Sequence, residues 1–527
     1  MSEIYISRND FLRFAQCKKT WYLKNNELFE NEINGIKGNG VHKTLNHLQS
    51  KIFRYIKSPG DKKFYEYARS LFSPLSPLKQ IIPQDISLDE KLKMTKDLID
   101  ENTKILFSGW FKYHRLILFV DILQLQESWN AFSIRSGGGS LYSNSLDMAL
   151  QYYILKKNEI NLSGFWAIYI NKRYRLKGEI NTTQLLKVKN FLPELEENIE
   201  LVEKLIDEIS YPINESVIKN IDIGNHCFQP SPCNYMNICW NHVPENSIFD
   251  IATLDRAIKF KMYETGILYQ KDIKKEDYSD FTPNQVLQIE STISQKVTLQ
   301  ISELKKFLQN IIYPVHYLDF ESFMPVIPLF QDTHPFQQIP FEYCLYARLK
   351  ESSIPEFKMF LAETTVKEEH LERPGDPRRE FIVNLLNDLD KTKNSGSILV
   401  YDSRLEIQQL REMVILFPEF SVEVESIIAR IVDLSYPFYK KLYYTPQMKG
   451  LYSIKNILPA LIPSLNYEKL EIKNGYMAMH AFESLYYENR PDIIEETRNN
   501  LKEYCKMDVL ALVEIHKFLE NLVKNHK

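Results

Sequence analysis

The sequence predicts an α/β protein built as two domains. Three observations lead there. The chain has 527 residues, more than a single core usually holds. Strand-like runs alternate with helix-like ones in both halves. Between the halves lies a stretch whose apolar residues recur at helical rather than strand spacing. The predicted boundaries are 1–245 for the first domain, 246–312 for a helical connector and 313–527 for the second domain.

The elements justify this division in order. In the first domain RLILFVDILQL (115–125) and FWAIYINKRYRL (165–176) are apolar, β-branched and aromatic, the composition of buried strands. The connector carries FDIATLDRAIKFKMYETGI and TISQKVTLQISELKKFLQNII, both with helical periodicity. The second domain opens with the strand candidates HYLDFESF, FEYCLYARL and GSILVYD, followed by the helices EIQQLREMVILF and TRNNLKEYCKMDVLALVEIHKFLENLVK. HLERPGDPRRE (370–380), rich in Pro, Gly and charge, is the clearest surface loop.

The formal net charge of -4 argues only against a broadly cationic surface, because a groove lined with Lys and Arg can bind nucleic acid on an acidic protein. The start, MSEIYISRNDF, lacks a charged-then-apolar signal pattern, and no run of 18 apolar residues occurs. The expectation is a soluble, cytoplasmic protein with no membrane partner. Six cysteines are too few for a disulfide scaffold, and three of them cluster, which favours metal ligation.

In YPVHYLDFESF, Asp319 and Glu321 fall on the same face of a strand, where two carboxylates repel unless a cation lies between them. GSILVYDSRLEIQQL then offers Asp402 and Glu406 around a strand-to-helix junction. In EYCKMDVLAL, Tyr504 and Asp508 lie four apart, on one helix face. Taken singly, each acid reads first as an exposed surface group, since most acids sit exposed.

This order of motifs resembles the DEDD exonucleases of the DnaQ-like, RNase H-fold superfamily, in the subclass marked by a tyrosine. More closely, LDFESF, PFQQIPFEYCLY, DPRREF, VYDSRLE, RIVDL, GLYSIKNILPAL and YCKMDVLAL resemble a bacterial family of unknown function in which such a domain follows a RecB-like one. The resemblance implies a mixed-sheet RNase H-like domain and a 3′-to-5′ exonuclease using two Mg²⁺ or Mn²⁺ ions. Asp319, Glu321, Glu406 and Asp508 would be the ligands and Tyr504 would position water. YDSRLE aligns Asp402, Leu405 and Glu406 with the superfamily's Asn, Phe and Asp; Glu406 is the favoured ligand, Asp402 the alternate, and Asp433 structural. Nucleic acid is the expected partner, DNA ahead of RNA.

HCFQPSPCNYMNICW places Cys227, Cys233 and Cys239 with five residues between neighbours, without the short knuckle typical of zinc. Cys17 is the candidate fourth ligand. One early cysteine plus three late ones resembles iron-sulfur RecB-family nucleases, and implies a 4Fe-4S cluster, with Zn²⁺ as the alternative. That resemblance extends through RLILFVDIL, FSIRSGGGS and DMALQYYIL, so the first domain is expected to be RecB-like, of the restriction-endonuclease (PD-(D/E)XK) type. Asp121, Gln151 and Tyr152 match its motifs and His42 matches an early His, but Ser133 and Arg135 stand where the family has Glu and Lys. Serine is a poor ligand for a hard cation and Arg cannot deprotonate, so this nuclease site is expected to be inactive. Glu127 is the alternative source of the lost acid. Lys18, Lys19 and Lys24 with Trp21 and Tyr22 read either as a phosphate-and-stacking surface or as one amphipathic helix. The competing function is a nucleic-acid-binding scaffold with no catalysis.

Overall fold

The structure, a computed structural model, describes residues 5–25, 59–72, 79–137, 145–211, 218, 220–364, 375–391 and 395–526. Predicted site residue His42 and residues 370–374 of the expected surface loop lie outside these. The chain forms two compact units, one of residues 1–242 with 326–336, the other of 243–325 with 337–527. Residues 246–312, read above as a connector, therefore count with the second unit, and an eleven-residue excursion from that half counts with the first.

The first unit is organised by a seven-stranded mixed sheet. Its strands are β1 (Ile6–Ser7), β2 (Lys79–Ile81), β3 (Ile105–Tyr113), β4 (Leu116–Leu125), β5 (Trp129–Arg135), β6 (Leu162–Ile170) and β7 (Leu186–Asn190). The order is β2-β3-β4-β5-β6-β7, with β1 pairing parallel to β4. Strands β3, β4 and β5 form an antiparallel meander. A helix then crosses over, α5 in chain order (Ser145–Lys157), so that β6 returns parallel to β5. SLDMALQYYILKK is apolar on nearly all sides, and Asp147 to Leu155 are buried in an unbroken run, as expected of a helix enclosed by its unit. The other helices of this unit that matter below are α1 (Arg8–Gln16), α2 (Lys18–Asn25), α3 (Pro59–Ser70) and α4 (Leu88–Asp100). Both sheet faces are covered: Phe11, Phe14, Leu118, Val120, Met148 and Phe165 share one core, and Phe64, Phe107, Ile122, Phe132 and Ile168 the other. This is why the strands read as continuous apolar runs rather than alternating ones.

The second unit begins with α6 (Arg256–Glu264), α7 (Pro283–Ser294) and α8 (Ile301–Gln309). The second periodic run of the connector is not one helix. It breaks at Gln295, left-handed with φ 53°, and passes through β8 (Thr298–Leu299), which pairs with a later strand at Tyr443–Tyr444. The main sheet follows: β9 (Val315–Phe323), β10 (Ile339–Arg348), β11 (Glu356–Leu361), β12 (Ile398–Val400) and β13 (Ile431–Asp433), in the order β11-β10-β9-β12-β13. The first three strands are antiparallel, while β12 runs parallel to β9 and β13 parallel to β12. Gly396, at φ +74°, admits no side chain here, because a Cβ would sit 2.0 Å from the Pro314 carbonyl oxygen.

Four helices position the site on this sheet: α9 (Pro377–Lys391), α10 (Arg404–Leu416), α11 (Ile454–Leu461) and α12 (Pro491–Asn525). The last is 35 residues long and packs on β9 and β10, burying Leu501, Tyr504, Cys505, Asp508 and Leu512 on one face. Among the described residues no helix is long and apolar enough to cross a membrane.

Candidate functional site

Strand β9 carries apolar Leu318 and Phe320 on one face and Asp319 and Glu321 on the other. Helix α12 brings Asp508 to that second face, so that carboxylate oxygens of Asp319, Glu321 and Asp508 all lie within 4.8 Å of one another. Glu321 and Asp508 are only 7 % and 5 % exposed. Burial pushes the Asp319 and Glu321 carboxyls well above the usual range, and Asp508 is the neighbouring charge that adds most to each. Burial raises Asp508 too, against the pull of Lys455, Tyr467 and Tyr504. Three carboxyls that resist ionisation together are a ready site for a cation, and their hard oxygen donors match Mg²⁺ or Mn²⁺.

Glu406 sits in the first turn of α10, 3 % exposed, with one carboxylate oxygen that has no hydrogen-bond partner. Burial moves it up to about 8. It lies outside the 4.8 Å trio, yet close enough for its charge to raise Asp319 and Glu321. Asp402 is different: it is spent on an ion pair with Arg404 at 2.5 Å and stays below the usual carboxylate range through that hydrogen bond. Asp433 accepts the backbone N–H groups of Asp402, Ser403 and Ser435 at 3.0, 3.1 and 2.9 Å, which fixes the start of the helix that presents Glu406. Of the two alternates, Glu406 is thus the acid left available.

Tyr504 is 3 % exposed, and its hydroxyl accepts a hydrogen bond from Lys455 Nζ at 2.8 Å. Tyr467 donates to Asp508 Oδ1 at 2.5 Å. Lys455 and Tyr467 were not singled out from sequence; Lys455 stands inside GLYSIKNILPAL, while no pattern marked Tyr467. Behind the trio, Glu342 faces Glu321 and Cys344 faces Asp319 across the β9–β10 ladder. Ligand atoms of Glu342, Cys344 and Cys505 also lie within 4.8 Å of one another, and both Glu342 oxygens are buried without a partner.

In the first unit Cys17, Cys227, Cys233 and Cys239 line one cavity, although more than 200 residues separate the first from the rest. Gln16 holds the two ends together by donating to the carbonyls of His226 and Ser231, each at 2.7 Å, and Lys19 donates to Ile221. Burial pushes Cys233 and Cys239 up to about 11 and about 12, and Cys17 above its ordinary value, with the neighbouring cysteines adding to each. Four thiols converging on one cavity fit a group that takes four thiolates.

The other predicted residues of this unit gather around two buried acids. Asp121 accepts from the Ile134 amide at 2.8 Å and from Ser133 Oγ at 3.5 Å, and burial holds it above the usual range. Asp147, one helical turn before Gln151, ion-pairs with Arg8 of α1 and, at 2.6 Å, with Arg135. Burial would raise Asp147, but Arg135 and Arg8 outweigh it and hold the carboxyl low. Gln151 donates to Asp147 Oδ1 at 3.5 Å, whereas Tyr152 turns away to Glu196. Glu127 is exposed in the β4–β5 turn. Sequence reasoning passed over Arg8 and Asp147, although DMALQYYIL contains the latter. Lys18 and Lys24 pair with Glu208 and Asp10 at 3.0 and 2.6 Å, so the α2 lysines serve the fold.

Residues 316–453 match a family described as a domain of unknown function (DUF2779), a span holding Asp319, Glu321 and Glu406 but ending before Tyr504 and Asp508. An uncharacterized protein of Ureaplasma parvum, UU173, is 28% identical over 148 residues, 25% of this chain and 21% of that protein. An uncharacterized protein of Mycoplasma genitalium, MG366, is 23% identical over 224 residues, 40% of this chain and 32% of that protein. The matches thus span a third or less of the length of these relatives. They support a bacterial family of unknown function. No solved structure matches the chain.

Proposed function

We propose that the second unit is a divalent-metal-dependent nuclease that trims nucleic acid, DNA in preference to RNA, from the 3′ end. The observation that carries this reading is the convergence of Asp319, Glu321 and Asp508 within 4.8 Å on one face of β9. The sheet order, with the first strand central, two antiparallel strands on one side and two parallel strands on the other, supports the RNase H-like assignment. Polarity and substrate rest on the resemblance to DEDD exonucleases.

Asp319, Glu321 and Asp508, with Glu406, would hold two Mg²⁺ or Mn²⁺ ions, which supply Lewis-acid activation of the phosphodiester. The chain's own groups set the rest. Tyr504 is a buried phenol kept neutral by burial, suited to orient a water rather than to deprotonate it. Asp433 fixes the turn that presents Glu406.

In the first unit we assign the four cysteines to a 4Fe-4S cluster joining the two ends of a RecB-like domain, with Zn²⁺ as the alternative. The antiparallel meander, crossover helix and returning parallel strand support that fold. Its former nuclease centre is inactive in this reading, because Arg8 and Arg135 supply the positive charge beside Asp147 and Asp121 that a metal would otherwise provide. The test is cleavage of 5′-labelled single-stranded DNA and RNA with Mn²⁺, Mg²⁺ or EDTA. A metal-dependent ladder shrinking from the 3′ end, lost in Asp319→Ala and kept in Asp121→Ala, is expected. No cleavage with any metal would leave a nucleic-acid-binding scaffold in its place.

A further inference from the structure

Lys455 occupies the second position of α11, and its ammonium is the cation that acts on both Glu321 and Asp508. It is held firmly. Nζ donates to Tyr504 Oη at 2.8 Å and to the Lys473 carbonyl at 3.1 Å, and lies 4.9 and 5.2 Å from the ring centroids of Tyr504 and Tyr467. A lysine ammonium has three donors. Two are used, and the third has no protein acceptor among the described residues.

Charge shows what the third donor is for. Asp319, Glu321, Glu406 and Asp508 carry four negative charges when ionised, which two divalent cations cancel. The ammonium then remains as one positive charge on a half-buried side chain, whose pKa burial lowers against the pull of Asp508, Glu321 and Asp319, so a charge left without a partner there is costly. One phosphodiester brings the single negative charge that balances it. An ammonium needed only to neutralise the acids would be redundant once metals bind.

We infer that Lys455 is a substrate-binding residue of the nuclease site, donating its remaining N–H to a non-bridging oxygen of the terminal phosphodiester. This rests on the metal-dependent phosphodiesterase reading above. The fixed lysine also orders Tyr504, since a hydroxyl that accepts from Lys455 must direct its own hydrogen elsewhere.

The experiment is a cycle on the full chain, using fluorescence anisotropy with 5′-labelled single-stranded DNA in Ca²⁺. One oligonucleotide is native and the other carries a neutral methylphosphonate at its last linkage. Metal contacts to the phosphate are lost with either protein, so the coupling between side chain and phosphate charge is what the cycle isolates. A charge-assisted hydrogen bond predicts that wild type loses roughly tenfold more affinity on neutralisation than Lys455→Met does. Lys455→Arg, which keeps the charge, should retain most of the coupling and covers the case in which the Met variant folds poorly. Equal losses in wild type, Met and Arg variants overturn the inference. The nuclease reading fails separately, if wild type shows no metal-dependent cleavage; a cleaving wild type without the coupling refutes only the role of Lys455.

Discussion

Replacing Glu406 by Gln should make the metal-free protein more stable at high pH and leave it almost unchanged at low pH. Burial moves this carboxyl from its ordinary 4.5 up to about 8, with Asp402 and Asp433 contributing. The unfolded chain therefore loses the proton near 4.5 and the folded chain only near 8, so the unfolded state carries fewer protons in between. Stability falls as pH rises through that window, and the full penalty is present above it. At 1.36 kcal/mol per pH unit the upper bound is roughly 5 kcal/mol, and local relaxation and water entry reduce it to about 2–3 kcal/mol. Glutamine has the same shape and no charge, so it should recover most of that amount. The assay is denaturant unfolding in EDTA of wild type and Glu406→Gln across the window. The variant should gain about 2–3 kcal/mol at the alkaline end and less than about 0.5 kcal/mol at the acid end. An equal gain at both ends, or a loss at the alkaline end, would refute the reasoning that Glu406 is held as a buried, uncompensated acid awaiting a cation.

Three further outcomes follow from the same geometry. Mn²⁺ should raise the melting temperature of wild type, by the equivalent of about 2.7 kcal/mol at a hundredfold excess over Kd, and should not do so in Asp319→Ala; an equal shift in both would place the ion elsewhere. In the first unit, Arg8→Ala strands the buried Asp147 with a single partner and should cost about 3–5 kcal/mol by thermal denaturation, whereas an unchanged melting temperature would show that Arg135 alone suffices. Protein purified without oxygen should carry about four iron and four sulfide per chain, both lost in Cys233→Ser; one zinc and no sulfide would overturn the cluster.

Reading the sequence recovered the parts of this architecture that local chemistry writes down. RLILFVDILQL, HYLDFESF and FEYCLYARL are strands because a sheet covered on both faces demands long apolar runs, and such runs are visible without the fold. EFKMFL (356–361) was passed over as β11. It is an edge strand, exposed to half-buried over most of its length, and carries too little apolar signal to stand out. The second periodic run of the connector hides its short strand for a related reason. Thr298–Leu299 within that run pair with Tyr443–Tyr444 far along the chain, a contact that periodicity cannot report.

The site divides along the same line. Asp319 with Glu321, and Tyr504 with Asp508, are short-range pairs whose spacing already states which face they share. Glu406 could not be separated from Asp402 by spacing. What distinguishes them is that Arg404 pairs one, while Asp433 anchors the turn that buries the other. Lys455 and Tyr467 reach the acids from segments about 40 to 50 residues before Asp508, and Arg8 meets Asp147 across 139. In each unit one of the groups missed from sequence is a cation set beside a buried acid, Arg8 in the first and Lys455 in the second. In the first unit two arginines give Asp147 a permanent partner, which removes the need for a cation. The second unit provides one fixed ammonium beside Asp319, Glu321 and Asp508, and on the proposed reading that imbalance is what metal and substrate together would correct.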